Sequence, residues 1–141
     1  MNISVLNDFS EFPGLRHCNI SDKSGEEFYH SVLNHAFKQA CEKNEKLVVY
    51  LDDTAGYASS FLDEAFGNLV YDFSLSIVKK HIEIISVQEP HWKTLIENQT
   101  FEEWEKRRIA NKPPKITKEH EEWYKLIDNQ IKSGNWLNVA Q

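Results

Sequence analysis

Residues 46–72 read KLVVYLDDTAGYASSFLDEAFGNLVYD, and this stretch decides the fold of the chain. Residues 47–51 form an unbroken apolar run with β-branched and aromatic side chains, which predicts a strand buried on both faces. The polar residues 52–56 then predict a loop. From Phe61 to Phe73, apolar side chains recur at steps of three and four residues, which predicts one wide face of a helix. A buried strand, a polar loop and an amphipathic helix are therefore expected in direct succession.

Two adjacent hydroxyl groups, those of Ser59 and Ser60, stand where this helix is expected to begin. Ser60 is followed three positions later by Asp63, which is a capping-box pattern. In such a box the hydroxyl accepts a hydrogen bond from a free backbone N–H and the carboxylate reaches back. We therefore expect Ser60 to cap the helix.

The flanking segments predict a small α/β fold. Ser24 and Glu27 form a second capping-box pattern, which opens a helix that ends near residues 42–44. Residues 81–87 predict a further strand, and helices before and between the strands imply right-handed crossovers and parallel pairing. The expected fold is a small, mixed or mostly parallel sheet with helices packed on it. Residues 2–6 predict an edge strand and residues 15–20 a second strand, together a hairpin-like pair.

The composition changes at about residue 89, so we expect an α/β domain at residues 1–88 and a helical extension packed on it at residues 89–141. Apolar spacing predicts one or two helical segments up to about Ala110, and a Lys-Pro-Pro sequence at residues 112–114 then breaks the pattern. A last helix is expected from Thr117 to the Ser-Gly stop at residues 133–134.

Residues 59–67, with the sequence SSFLDEAFG, and residues 24–28, with the sequence SGEEF, resemble a STAS-like family of unknown function. The resemblance covers roughly residues 1–88. More distantly, the chain is similar to the STAS domains of anti-sigma-factor antagonists. These carry an Asp-Ser-Ser-Gly turn whose first serine is phosphorylated by a partner that is both kinase and anti-sigma factor. In this sequence Ala58 and Phe61 replace the aspartate and the glycine of that turn.

The resemblance implies a non-enzymatic, regulatory protein-interaction module that works by partner switching. Its partner would be a GHKL-type ATPase or kinase, and Ser59 would be the phosphoacceptor. Asp53, Thr54 and Asn68 would contact the partner at the rim of the binding surface. A purely structural role for Ser59 and Ser60 is the competing interpretation, because serine often precedes helices. A serine hydrolase is disfavoured because the Gly-x-Ser-x-Gly elbow is missing.

The alternative function is a nucleic-acid- or nucleoprotein-binding factor, phage- or defence-related, that uses the basic segment at residues 106–118. This segment contains six basic and no acidic side chains, and its first four bases are Lys106, Arg107, Arg108 and Lys112. Bases interleaved with aromatic residues are typical of single-strand binding. The net charge of −6 arises within residues 1–88, which carry 13 acidic and 7 basic side chains. That domain would repel a nucleic-acid backbone.

We expect a cytoplasmic protein, and the spacing of its His, Cys and Asp residues predicts no metal or cofactor. The family resemblance implies a prokaryotic or phage protein. No apolar run approaches the ~20 residues of a membrane span, and the N-terminus lacks the features of a signal peptide. His30 and His35 are five residues apart, so we do not expect them to share a helical face. Asp52 and Asp53 lack a third acidic ligand. A weak N-terminal edge strand can pair between two chains, which makes a homodimer an expectation as well.

Overall fold

The computed structural model describes residues 1–136, so the last five residues of the expected extension lie outside the described part. The strands are Asn2–Ser4 (β1), Leu47–Tyr50 (β2), Ile82–Ile85 (β3), Trp123–Ile127 (β4) and Gln130–Gly134 (β5). The α-helices are Val5–Asp8 (α1), Gly25–Phe28 (α2), Asn34–Glu42 (α3), Ser59–Phe73 (α4), Leu75–His81 (α5), His91–Leu95 (α6) and Phe101–Ile109 (α7). Two π-helical turns, Tyr29–Leu33 and Ile96–Thr100, join α2 to α3 and α6 to α7.

Within the described residues, β1, β2 and β3 form a parallel sheet with β2 in the centre. Leu47 pairs with Ile82, and Asn2 pairs with Val48. The predicted α/β fold with a small parallel sheet is confirmed, and β1 lies at an edge as expected.

Only one face of this sheet is fully buried. Leu47 and Val49 are inaccessible to solvent, whereas Val48 is half-buried and Tyr50 is 39% exposed. Glu83, which pairs with Val48, is exposed. The prediction that this strand is buried on both faces is therefore wrong. A run of β-branched residues indicates a strand, but whether elements cover both of its faces is decided elsewhere in the chain.

Helix α4 lies at the centre of the core. It packs against α2 and the first π-helical turn, and it also packs against α7 and β4. Every residue from Glu64 to Val70 is buried. Gly67 allows α7 to approach closely, because a Cβ atom there would lie 2.1 Å from Cε2 of Trp104. The segment after residue 89 therefore completes the core instead of lying on its surface.

The predicted strand at residues 15–20 is wrong. These residues form a loop, since the carbonyl oxygens of Leu15 and Arg16 accept hydrogen bonds from the backbone N–H groups of Gly25 and Glu26, at 2.9 and 3.0 Å. The loop thus satisfies backbone donors at the start of α2, which have no partner within their own helix.

The predicted last helix, from Thr117 to residues 133–134, is also wrong. Strands β4 and β5 form an antiparallel hairpin there. Asp128 and Asn129 connect them, and both have positive φ angles, 53° and 63°. Aspartate and asparagine tolerate this conformation, which a two-residue hairpin turn requires. The helical part of the segment lies earlier, in α6 and α7.

Within residues 1–136 no helix combines the length and the apolar character that crossing a membrane would require.

We expect the substitution Gly67→Ala to destabilise the protein. Alanine favours a helix over glycine by about 1 kcal/mol, but here its methyl group would overlap the indole of Trp104. Such overpacking costs about 1–3 kcal/mol, so the urea midpoint should fall. Gln39→Ala, at an exposed position of α3, is the control. A Gly67→Ala variant as stable as the wild type would contradict the close packing of α4 and α7.

Candidate functional site

The loop after β2 is held in place by a neighbouring loop. The carboxylate of Asp52 accepts hydrogen bonds from the backbone N–H groups of Val87 and Gln88, all between 2.9 and 3.0 Å. The hydroxyl of Tyr57 donates to the carbonyl oxygen of Leu51 at 2.6 Å. These bonds fix the path of the chain from β2 to α4.

Two of the predicted rim contacts lie in this loop. Asp53 is exposed, and its carboxylate accepts a hydrogen bond from Nε2 of Gln88 at 2.8 Å. Its φ of 71° is in the left-handed region, which aspartate tolerates. Thr54 is half-buried, and its hydroxyl accepts from the N–H of Gly56 at 3.3 Å. Asp53 therefore offers more accessible surface than Thr54.

Ser59 is the first residue of α4 and is exposed to solvent. It lies in a groove of about 240 Å³. The other residues that line the groove are Arg16, Asp63, Leu95, Gln99, Thr100 and Glu103. Ala58 occupies the cap position of α4 and offers no side-chain hydrogen bond. The strand-to-helix junction thus presents the Ser59 hydroxyl at an open helix N-terminus.

The prediction that Ser60 caps α4 is wrong. The helix begins one residue earlier, and the N–H of Phe61 donates to the carbonyl oxygen of Ala58. Asp63 does not reach back to complete a capping box. Its carboxylate pairs with Nη1 of Arg16 at 2.7 Å and accepts from Nε1 of Trp104 at 3.2 Å. Partners that lie 41 and 47 residues away therefore take the place of the local cap.

Arg16 brings positive charge to the groove beside Ser59. Its Nη1 contacts the carboxylates of both Asp63 and Glu64, the latter at 3.0 Å. Glu64 is buried, whereas the side chain of Arg16 is 36% exposed. The guanidinium therefore neutralises a buried carboxylate and remains accessible from the groove.

Asn68 is not a rim residue, and that prediction is wrong. Only 3% of it is exposed, and its side-chain amide donates to the backbone carbonyl and the carboxylate of Glu64. The elements that cover α4 bury it. The accessible part of the predicted contact region is therefore the 52–60 loop.

The basic segment is partly engaged in internal contacts. The guanidinium of Arg107 lies 4.0 Å from the ring centroid of Trp104 and donates to the carbonyl oxygens of Lys112 and Pro113. Arg108 forms two hydrogen bonds with Glu105. The side chains of Lys106 and Lys112 are exposed. Both arginines of the proposed nucleic-acid surface thus stabilise the C-terminal segment itself.

Sequence reasoning missed a cluster around Glu26, which is only 1% exposed. Its carboxylate accepts hydrogen bonds from Nε2 of His120 at 2.7 Å and from both the hydroxyl and the backbone N–H of Thr117. It also accepts from the backbone N–H of Cys18 and contacts Nδ1 of His17 at 3.1 Å. Since His120 lies 94 residues away, no local spacing could have indicated this arrangement.

Hydrogen bonds keep Glu26 ionised in this buried position. Burial alone would raise the pKa of Glu26, but the donors from His120, Thr117 and the Cys18 backbone hold that pKa well below its usual range. The same surroundings shift the pKa of the neighbouring thiol, that of Cys18, in the opposite direction. Burial, together with the charges of Glu26 and Glu27, raises the pKa of Cys18 to about 11.

His30 and His35 line one cavity of about 310 Å³, together with His120. The expectation that the two would not share a face is wrong, because the turn Tyr29–Leu33 is π-helical and advances five residues per hydrogen bond. The ring of His30 stacks on that of His120 with centroids 3.9 Å apart. Burial and the proximity of His120 lower the pKa of His30 to about 3.

A second buried carboxylate, Asp72, lies between α4 and β4. It accepts a hydrogen bond from the hydroxyl of Tyr29 at 2.5 Å, and Nζ of Lys125 lies 3.4 Å away. Burial raises the pKa of Asp72 to about 6, although Lys125 and Tyr29 oppose this shift.

In a comparison with known families, residues 24–92 fit the model of a STAS-like domain of unknown function. The matched region begins at Ser24, which caps α2 as predicted because its hydroxyl accepts from the backbone N–H of Glu27 at 3.0 Å. The region also includes β2, α4 and β3. No curated protein and no solved structure matched the chain.

We expect Glu26→Gln to destabilise the fold by about 3 kcal/mol, because the new amide group would face N–H and O–H donors in a buried site. Chemical unfolding in urea measures the loss. Glu27→Gln is the matched control, since Glu27 contacts the 55%-exposed Lys118 and such a pair contributes less than about 1 kcal/mol. Equal losses in both variants would show that the Glu26 cluster does not hold the fold together.

The titration of Asp72 should lower the free energy of unfolding as the pH rises from about 4 to 6. Its folded pKa, about 6, lies above the ordinary value of 3.8, so the folded protein keeps a proton that the unfolded chain releases in this window. Asp72→Asn removes this effect. Between pH 4 and 7 the stability difference between variant and wild type should change by about 1–3 kcal/mol. Asp22→Asn, at an exposed position, is the control, and a pH-independent difference for Asp72→Asn would refute the assignment.

Proposed function

Because residues 24–92 match the model of a STAS-like domain of unknown function, we propose that this protein is a non-enzymatic interaction module controlled at Ser59. The observation that carries the proposal is the exposed Ser59 hydroxyl at the first residue of a 15-residue helix, within an open groove. A kinase can reach a hydroxyl in this position without unfolding the domain.

The charges around Ser59 support a role in switching. A phosphate on Ser59 would lie near the free N–H groups and the partial positive charge of the α4 N-terminus. It would also compete with Asp63 and Glu64 for Arg16, which contacts both carboxylates. Repulsion between the phosphate and Asp63 would then rearrange the groove. Modification would therefore change the surface that a partner contacts.

The contact surface is the 52–60 loop together with the groove, since α7 and β4 cover the rest of α4. Asp53 and Thr54 lie on the loop, and Leu95 and Glu103 bring the C-terminal segment into the same surface. By its resemblance to anti-sigma-factor antagonists, the partner is a GHKL-type ATPase or kinase. The C-terminal segment would thus contribute to the choice of partner.

We expect Ser59, and not Ser60, to be phosphorylated when the protein is incubated with ATP and its GHKL-type partner, for which any GHKL-type ATPase encoded beside its gene is the first candidate. Mass spectrometry of the tryptic peptides identifies the modified residue. Ser60→Ala should be modified normally, because Ser60 is a half-buried neighbour, and Ser59→Ala should not be modified.

Ser59→Asp should weaken partner binding by about tenfold, which corresponds to about 1.4 kcal/mol. Ser60→Asp, in which the same charge is placed one residue along the helix, is the control, and calorimetry or surface plasmon resonance measures both affinities. If Ser59 remains unmodified with every such ATPase and Ser59→Asp binds as the wild type does, the switch is refuted.

A further inference from the structure

The Glu26 cluster brings together three kinds of metal ligand from separate segments. The thiol of Cys18, a carboxylate oxygen of Glu26 and an imidazole nitrogen of His120 all lie within 4.8 Å of one another. Cys18 belongs to the loop before α2, Glu26 to α2, and His120 to the segment before β4. Glu26 and His120 are buried, and Cys18 is half-buried. This cluster lies apart from the Ser59 groove, whose lining includes none of the three residues.

We infer that Cys18, Glu26 and His120 form a binding site for a divalent transition metal ion of the Zn²⁺ type. Thiolate, imidazole and carboxylate are the ligands that zinc takes in proteins. In a tetrahedral site with the usual bond lengths, ligand atoms lie roughly 3.5 Å apart. Because the observed atoms lie within 4.8 Å of one another, shifts on the order of 1 Å bring them to this separation. As the Zn–S bond forms, the thiol proton of Cys18 leaves to solvent. The ring of His120 keeps its single proton on Nδ1, so that Nε2 gives up its hydrogen bond to Glu26 and both atoms of that pair bind the ion instead.

The hydrogen bonds around the cluster orient the ligands. The hydroxyl of Ser24 lies 3.3 Å from Sγ of Cys18, and the hydroxyl of Thr117 donates to Oε1 of Glu26 at 2.7 Å. The backbone N–H of Cys18 donates to Oε1 as well. Such outer contacts are typical of metal sites, in which they fix the direction of each ligand.

The cavity beside His120 would give the ion access to that ligand. Its lining includes the carboxylates of Glu27, Glu119 and Glu121 together with the ammonium group of Lys118, and a cleft lined mainly by carboxylates raises the local concentration of cations. Three protein ligands leave one tetrahedral position for water, as in zinc sites that are open to solvent.

A second observation points to a polar species in the same cavity. Among residues 1–136, Nδ1 of His30 is the one buried side-chain nitrogen or oxygen without a hydrogen-bond partner. His30 is 94% buried, lines this cavity and stacks on His120. An ordered water or ion is one of the ways in which a buried, unpaired nitrogen of this kind gains a partner.

The test is a titration of the metal-free protein with Zn²⁺, followed by calorimetry and by thermal unfolding. The wild type should bind one ion per chain and unfold at a higher temperature. Cys18→Ser should lose affinity on the order of 100-fold or more, since it removes a ligand itself and not only an outer contact. Cys41→Ser and His35→Gln are the matched controls, which should bind as the wild type does. No binding to the wild type, or equal binding to Cys18→Ser, would overturn the site.

Cobalt provides a readout that does not depend on the stability of the Cys18 variant. With Co²⁺, the Cys41→Ser protein, whose one remaining thiol is Cys18, should show thiolate-to-cobalt absorption in the near ultraviolet. Absence of this band would refute the inference even if Cys18→Ser fails to fold. Neither metal experiment includes a partner protein or ATP, so a failure to bind metal would not count against the Ser59 proposal. In the same way, an unmodified Ser59 would not count against the metal site.

Discussion

The burial of α4 on nearly all sides is the constraint on which the rest of the structure depends. A helix whose residues from Glu64 to Val70 are all buried needs cover on more than one face. Helix α2 and the first π-helical turn provide only part of it. Helix α7 and strand β4 supply the remainder, and the absence of a side chain at Gly67 lets the indole of Trp104 approach. The C-terminal segment is therefore part of the core.

That arrangement places two carboxylates, Glu26 and Asp72, where parts of the chain far apart in sequence meet. A buried charge is costly unless hydrogen-bond donors surround it. Each of these carboxylates has such donors from segments that precede it and from segments that follow it in the chain. Thr117 and His120 from the C-terminal segment complete the contacts of Glu26. Because most of α4 is buried, the 52–60 loop is the accessible part of the strand-to-helix junction. Packing thus separates an exposed surface at Ser59 from a buried polar cluster at Glu26.

The candidate site could be predicted only in part. The position of Ser59 at the start of a helix followed from a change of periodicity within 27 residues, and such a change reflects local conformation. The cap assigned to Ser60 was wrong because Arg16 and Trp104 bind Asp63 from elsewhere. Asn68 was placed at the rim because α7 and β4, which complete the cover of α4, follow it by more than thirty residues. His30 and His35 share a cavity because the helix between them is π-helical, and spacing rules assume an α-helix.

Short-range patterns in the sequence determined the order of strand, loop and helix, the Ser24 cap and the parallel sheet, because backbone preference and the spacing of apolar residues act over a few positions. Tertiary structure decided which face of β2 is covered, that residues 123–134 form a hairpin, and which groups surround Glu26. These features depend on contacts between residues up to 94 positions apart. The free energy of such contacts comes from burial and from the satisfaction of buried charges, which no local pattern records.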